Sequence, residues 1–249
     1  MSRIRYVFFI AAIIPFFLIR AEAKNDLNLL AEIENNFFSA TDMTAILTVI
    51  KNRDTEWEDV EQYYYFRRDR DGLLLLLQKE PQCLKGRAYL QKQDEVWIYN
   101  PYGEGFSLST PRQNISNSVA TIADLGNYGL AKKYVLIKNN RDTLDSQNVY
   151  VLECSAIQEL HPWPSLTLWI TQKEYLPLKK QVINSKGLVE YTVYYLKFAR
   201  IDKCINPVSL YIEDGTDPLK NTMLIFSEFN TQPVPDYVFT RAYLEEINK

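Results

Sequence analysis

Residues 166–198 read LTLWITQKEYLPLKKQVINSKGLVEYTVYYLKF. Leu166–Thr171 is mostly apolar, Leu176–Asn184 and Leu188–Ile201 read as further strands, and the last is rich in β-branched and aromatic side chains. Asn184-Ser185-Lys186-Gly187 separates the last two runs with turn-forming residues. The stretch therefore predicts three consecutive antiparallel strands. The same rhythm continues through Val208–Glu213 and Asn221–Asn230, joined across Asp214-Gly215. The chain then closes on VPDYVFTRAYLEEIN (residues 234–248), a predicted helix over Asp236–Ile247 with Phe239, Tyr243 and Ile247 on one face.

Upstream the pattern is similar. Asp26 is placed to cap a helix over Leu27–Phe38, with Leu30, Ile33 and Phe37 on one face. Strands are predicted at Met43–Lys51, Glu56–Arg68, Leu73–Gln78, Leu84–Gln93 and Glu95–Asn100, with Asp69-Arg70-Asp71-Gly72 as a hairpin turn. Pro101–Asn117 reads as irregular, with one short strand near Phe106. Val119–Tyr128 reads as a short helix stopped by Gly126, and residues 129–135 as a second helical turn or a direct entry into a strand. Further strands are expected at Tyr134–Asn139 and Asn148–Ala156. One mainly β domain over residues 24–249, an antiparallel meander with a few helices, accounts for this succession.

Arg3 and Arg5, the apolar run Tyr6–Ile19 and the triplet Ala21-Glu22-Ala23 have the form of a secretory signal peptide. Cleavage is expected after Ala23. No Cys follows that point to carry an acyl anchor, so the expected mature chain is soluble and periplasmic. The chain has 28 basic and 31 acidic residues, a net charge of −3. Cleavage would remove Arg3, Arg5, Arg20 and Glu22 and leave it more acidic, which argues against nucleic-acid binding. An oxidising compartment permits a Cys154–Cys204 disulfide with Cys83 left over, or three thiols within strands.

The residue types hold no enzyme signature. His161 is the only histidine and sits in the rigid loop Leu160-His161-Pro162-Trp163-Pro164, without a G-x-S-x-G elbow. One His, scattered Cys and no C-x-x-C leave no zinc set. Glu213-Asp214-Gly215-Thr216-Asp217 lacks the spacing of a calcium loop and reads as a turn. No Gly-rich phosphate cradle is present, so neither a metal nor a cofactor is expected.

One pattern calls for explanation. Leu73–Leu77 and Val96–Tyr99 are apolar in both phases, whereas an antiparallel strand with one wet face alternates. Helices can cover one face. The other requires a closed barrel, a second sheet or an apolar ligand cavity.

Several segments in order resemble the LolA-like outer-membrane lipoprotein-sorting proteins. They are Glu95-Val96-Trp97-Ile98-Tyr99-Asn100-Pro101, Ile122-Ala123-Asp124-Leu125, Val149-Tyr150-Val151-Leu152-Glu153, Leu168-Trp169-Ile170, Tyr175-Leu176-Pro177-Leu178-Lys179 with Gly187, and Phe239-Thr240 with Tyr243-Leu244-Glu245. Segment 101–133 departs from the family pattern, and no single Arg stands out at the place of the family's lid-gating basic residue. The resemblance implies a curved, incompletely closed antiparallel β-barrel lidded by helices. It implies a monomeric, non-enzymatic carrier of lipoprotein acyl chains or phospholipid, working between inner- and outer-membrane transfer proteins. Under it, Tyr65, Leu74, Leu76, Trp97, Tyr99 and Trp169 are the expected cavity wall, with Leu125 and Phe239 contributed by helices. Two other readings stay open: a stress-sensing module on the same scaffold acting through a protein partner, and a lipid hydrolase using His161.

Overall fold

The computed structural model describes residues 29–36, 41–52, 59–103, 105–126, 129–158, 163–202, 204–217 and 219–249. The expected signal segment, Asp26, Phe37 and His161 lie outside them. Six strands follow one another as β1 (Met43–Asn52), β2 (Asp59–Arg68), β3 (Leu73–Glu80), β4 (Ala88–Lys92), β5 (Glu95–Asn100) and β6 (Gly105–Ser109). Seven more form β7 (Tyr134–Leu144), β8 (Gln147–Ala156), β9 (Ser165–Thr171), β10 (Pro177–Ile183), β11 (Val189–Ile201), β12 (Cys204–Asp214) and β13 (Asn221–Asn230). Each run is an up-and-down antiparallel meander, because short polar turns can only join antiparallel neighbours. Gly72, at φ 62°, closes the tight turn between β2 and β3, a left-handed conformation that a side chain would strain.

Strand β1 pairs with β13, so the two meanders fuse into one sheet of order β6-β5-β4-β3-β2-β1-β13-β12-β11-β10-β9-β8-β7. The sheet is an open barrel: β6 and β7, consecutive in the chain, are its two opposite edges. Residues 110–133 must therefore cross from one edge to the other, and this crossing positions the candidate site.

The two faces of the sheet carry different cores. On the inner face Leu47, Tyr65, Leu74, Leu76 and Val96 join Leu152, Leu168, Ile170, Val182, Val193 and Leu224 in one buried cluster. Side chains from distant strands meet because the sheet curls toward this face. Arg67 on β2 reaches Asn206 on β12, Nη1 to Oδ1 3.5 Å, although about 14 Å separates strands three places apart in a flat sheet. Helix α1 (29–36) adds Leu30 and Ile33 to this cluster.

On the outer face Leu75, Leu90 and Tyr99 pack against Val234, Val238, Phe239 and Leu244. The latter group belongs to the C-terminal segment, a 3-10 turn at Asp236–Phe239 followed by α3 (Arg241–Glu246). Thr240 caps α3 by accepting from the Tyr243 amide at 3.2 Å. Ile247, expected on the apolar face, is 43% exposed, because the helix ends before it. Arg68 clamps the segment down. Its guanidinium donates to both Asp42 oxygens at 2.9 and 2.8 Å, to Asp236 at 2.6 Å and to the Val234 carbonyl, and its Cζ lies 5.0 Å from the centre of the Phe239 ring.

This arrangement accounts for the doubly apolar strands. The inner phase of β3–β5 belongs to the barrel core, and the outer phase is covered by the C-terminal segment. No disulfide joins the described cysteines: Cys154 is buried, Cys204 half-buried and Cys83 exposed. Burial pushes the Cys154 thiol up to about 12, which keeps it protonated and inert. Among the described residues no helix is long and apolar enough to cross a membrane.

Candidate functional site

The crossing segment lies over the inner face and is bound to it by side chains on many strands. Its first half buries Ile115 and Ala120. The Ser116 amide donates to the Tyr89 hydroxyl at 2.6 Å, and the Ser116 hydroxyl donates to Glu61 at 2.8 Å. Glu61 is a buried hub that also accepts from Lys51 at 2.5 Å, Gln78 at 3.1 Å and the Tyr63 hydroxyl. Burial pushes the Glu61 carboxyl up, but these donors outweigh it and hold the group below its ordinary value. Further on, the Val119 amide donates to the Thr222 hydroxyl at 3.0 Å.

The second half makes a 3-10 turn at Ile122–Asp124 in place of the expected helix over Val119–Tyr128. Thr121 and Asp124 form a capping box: Asp124 Oδ2 accepts from the Thr121 amide at 3.0 Å and its hydroxyl at 2.8 Å. Asp124 Oδ1 meets Lys180 Nζ of β10 at 2.7 Å and the Tyr191 hydroxyl at 3.2 Å. The Tyr65 hydroxyl donates to the Leu125 carbonyl at 2.7 Å. A short turn with its polar groups engaged by the sheet thus replaces a longer helix.

Between this turn, α1, α2 (Leu130–Lys133) and strands β9 and β10 lies a cavity of about 480 Å³. Leu166, Leu168 and Ile170 of β9 and Val182 of β10 supply its aliphatic wall, and Leu125, Leu130, Ile33 and Trp163 complete it. Period-2 alternation explains the β9 contribution, since residues 166, 168 and 170 share a face. Four cations stand in the lining: Arg67, Lys132, Lys133 and Lys180. Arg67 is held bidentately by Asp69 at 2.5 and 2.6 Å. Desolvation opposes its charge, but Tyr65 and Asp69 outweigh that and raise its pKa. Lys180 keeps its proton in the same way, with Asp124 countering desolvation. At the rim, Lys133 pairs with Asp94 at 2.7 Å.

The eight residues expected in the wall fall into distinct places. Leu125 lines the cavity. Tyr65, Leu74 and Leu76 lie on the same inner face, in the core beside it. Trp97, Tyr99 and Phe239 belong to the outer cluster, where Arg241 of α3 stacks 4.6 Å from the centre of the Trp97 ring. Trp169 is half-buried in the opposite phase of β9, under the ammonium of Lys179 at 4.6 Å. Alternation pairs residues on a face but does not say which face is inward, and in β5 and β9 the Trp97, Tyr99 and Trp169 phase points away from the cavity. Leu166, Leu168, Ile170, Val182, Arg67 and Lys180 were not among the expected residues. The aliphatic phase of Leu166-Thr167-Leu168-Trp169-Ile170 was the available signal.

An open antiparallel barrel with a chain segment laid across its inner face is the LolA-like fold. A LolA superfamily protein from Nitrosomonas europaea superposes with a TM-score of 0.75 at 20% identity, covering 88% of this chain and 98% of that one. An outer membrane lipoprotein-sorting protein domain from Vibrio parahaemolyticus superposes with a TM-score of 0.79 at 18% identity, covering 90% and 99%. A family model described as "-like: Uncharacterized protein" matches residues 71–246, and the chain belongs to that family. No curated protein matches the sequence.

Proposed function

We propose that this protein is a soluble periplasmic carrier that holds an acyl chain of a lipoprotein or phospholipid, non-covalently, on the way toward the outer membrane. The observation that carries the reading is the cavity of about 480 Å³ walled by Leu166, Leu168, Ile170 and Val182 under the crossing segment. Its volume falls within the ordinary range of ligand sites, about 300–1,000 Å³. Each methylene buried there contributes about 0.8 kcal/mol, so one long chain supplies on the order of 10 kcal/mol before ordering costs. That is the driving force a carrier needs to keep a lipid tail out of water. The LolA-like fold and the signal-peptide pattern at residues 1–23 support the same reading.

Native mass spectrometry of the protein recovered from an envelope fraction tests this, together with transfer of labelled lipid between donor and acceptor vesicles. Co-purified lipid and accelerated transfer are expected. A lipid-free protein that accelerates no transfer, captured instead with a protein partner, would replace the carrier by a sensing module.

A further inference from the structure

The strand wall of the cavity is largely aliphatic, yet Arg67 and Lys180 stand in it, and Arg67 is already held by both Asp69 oxygens. Lys180 is paired across the ladder with Leu168, and Val182, next on the same face, with Leu166. The ammonium is thus set among the aliphatic residues that would hold a chain. Its side chain is 15% exposed, whereas that of Asp124 is fully enclosed.

The two partners of this ion pair are unequally committed. Asp124 accepts from the Thr121 amide, the Thr121 hydroxyl and the Tyr191 hydroxyl as well as from Lys180. Three donors remain if the lysine turns away, so the carboxylate would not be stranded. Lys180 has one hydrogen-bond acceptor among the described residues, Asp124, and two ammonium protons beyond it. A second anion entering the cavity would find a desolvated cation with donors to spare, where a charge-assisted hydrogen bond is stronger than in water.

The volume of about 480 Å³ lies in the lower half of the range of single-ligand sites, which suits one chain better than several.

Resting on the carrier reading, we propose that the ligand is an amphiphile with one acyl chain and an anionic oxygen head, and that Lys180 is the residue that pairs with the head. A carboxylate and a phosphodiester share this chemistry.

The test is displacement of a fluorescent fatty-acid probe from the full chain by three sixteen-carbon competitors: palmitate, palmitoyl lysophosphatidylglycerol and hexadecanol. At least one anion should compete about tenfold better than the alcohol. If only one does, it identifies the head as carboxylate or phosphodiester. Lys180→Met should erase the ratio, Lys180→Arg should keep it, and Asp124→Asn, which removes the competing carboxylate, should raise it. The Asn variant keeps the test open if Lys180→Met fails to fold. Equal competition by all three ligands, or a ratio that survives in Lys180→Met, overturns the assignment of Lys180 and leaves the carrier reading standing. Failure of every ligand to compete removes both.

Discussion

The hydroxyl of Tyr65, on β2, donates to the carbonyl of Leu125, sixty residues away in the segment that crosses the open barrel. Both groups are buried, and burial pushes the Tyr65 hydroxyl up to about 12, so it remains a donor at any physiological pH. Removing it by Tyr65→Phe leaves the carbonyl unsatisfied. The expected cost is about 1–3 kcal/mol, read as a lower urea midpoint at unchanged slope. A midpoint equal to that of the parent would mean that the crossing segment is not held there.

The buried ion pairs predict how the fold responds to acid. The Arg68 guanidinium, aided by the Val234 amide, holds the Asp42 carboxyl below its ordinary value of 3.8 against the opposing effect of desolvation. Glu61 lies below 4.5 because its four donors outweigh burial. Both carboxyls bind protons more weakly in the folded chain than in the unfolded one. Their stabilisation is therefore complete above about pH 5 and is lost as pH falls through and below those ordinary values. Urea midpoints measured between about pH 7 and pH 3 should be flat and then fall, and Asp42→Asn should shallow the fall. A rise toward acid would contradict the account.

The two faces of the sheet should respond differently to substitution. Phe239→Ala removes a buried ring from the outer cluster and from beneath Arg68, at an expected cost of about 3–5 kcal/mol. Because the ring does not line the cavity, affinity for an acyl probe should stay within twofold of the parent under conditions where the variant is folded. Thermal melting and probe titration on the same sample check both halves.

Filling the cavity should do the reverse. Leu166→Trp projects a larger side chain from β9 into the space beneath the crossing segment. The expected result is weaker probe binding, about tenfold or more, with little loss of stability, because the added atoms occupy a void. Unchanged affinity would place the bound chain elsewhere.

The strands were legible because alternation and turn residues are local signals. Glu95–Asn100 and Asn221–Asn230 were expected with the bounds observed. The crossing turn was legible only through the resemblance, which assigns Leu125 to a helical lid; its conformation was not. The segment's backbone is held by Tyr65, Tyr89 and Thr222 and its Asp124 carboxylate by Lys180, none of them adjacent in sequence, and these contacts override the helix that Val119–Tyr128 suggests. The family resemblance pointed to a barrel, but residue by residue it drew attention to Trp97, Tyr99, Trp169 and Phe239. Those aromatics lie where the sheet meets the C-terminal segment or a half-buried lysine, Lys179. The aliphatic phase of β9 lines the cavity because residues 166, 168 and 170 share the inward face.

The central claim is that an acyl chain sits against β9 and β10 under the crossing segment. Photolabelling of the full chain with a diazirine-bearing palmitate, followed by peptide mapping, tests it most directly. Label on Leu166, Leu168, Ile170, Val182 or Leu125, removed by excess unlabelled amphiphile, is the predicted result. Label confined to the Trp97–Phe239 face, or label that excess amphiphile does not displace, would contradict it.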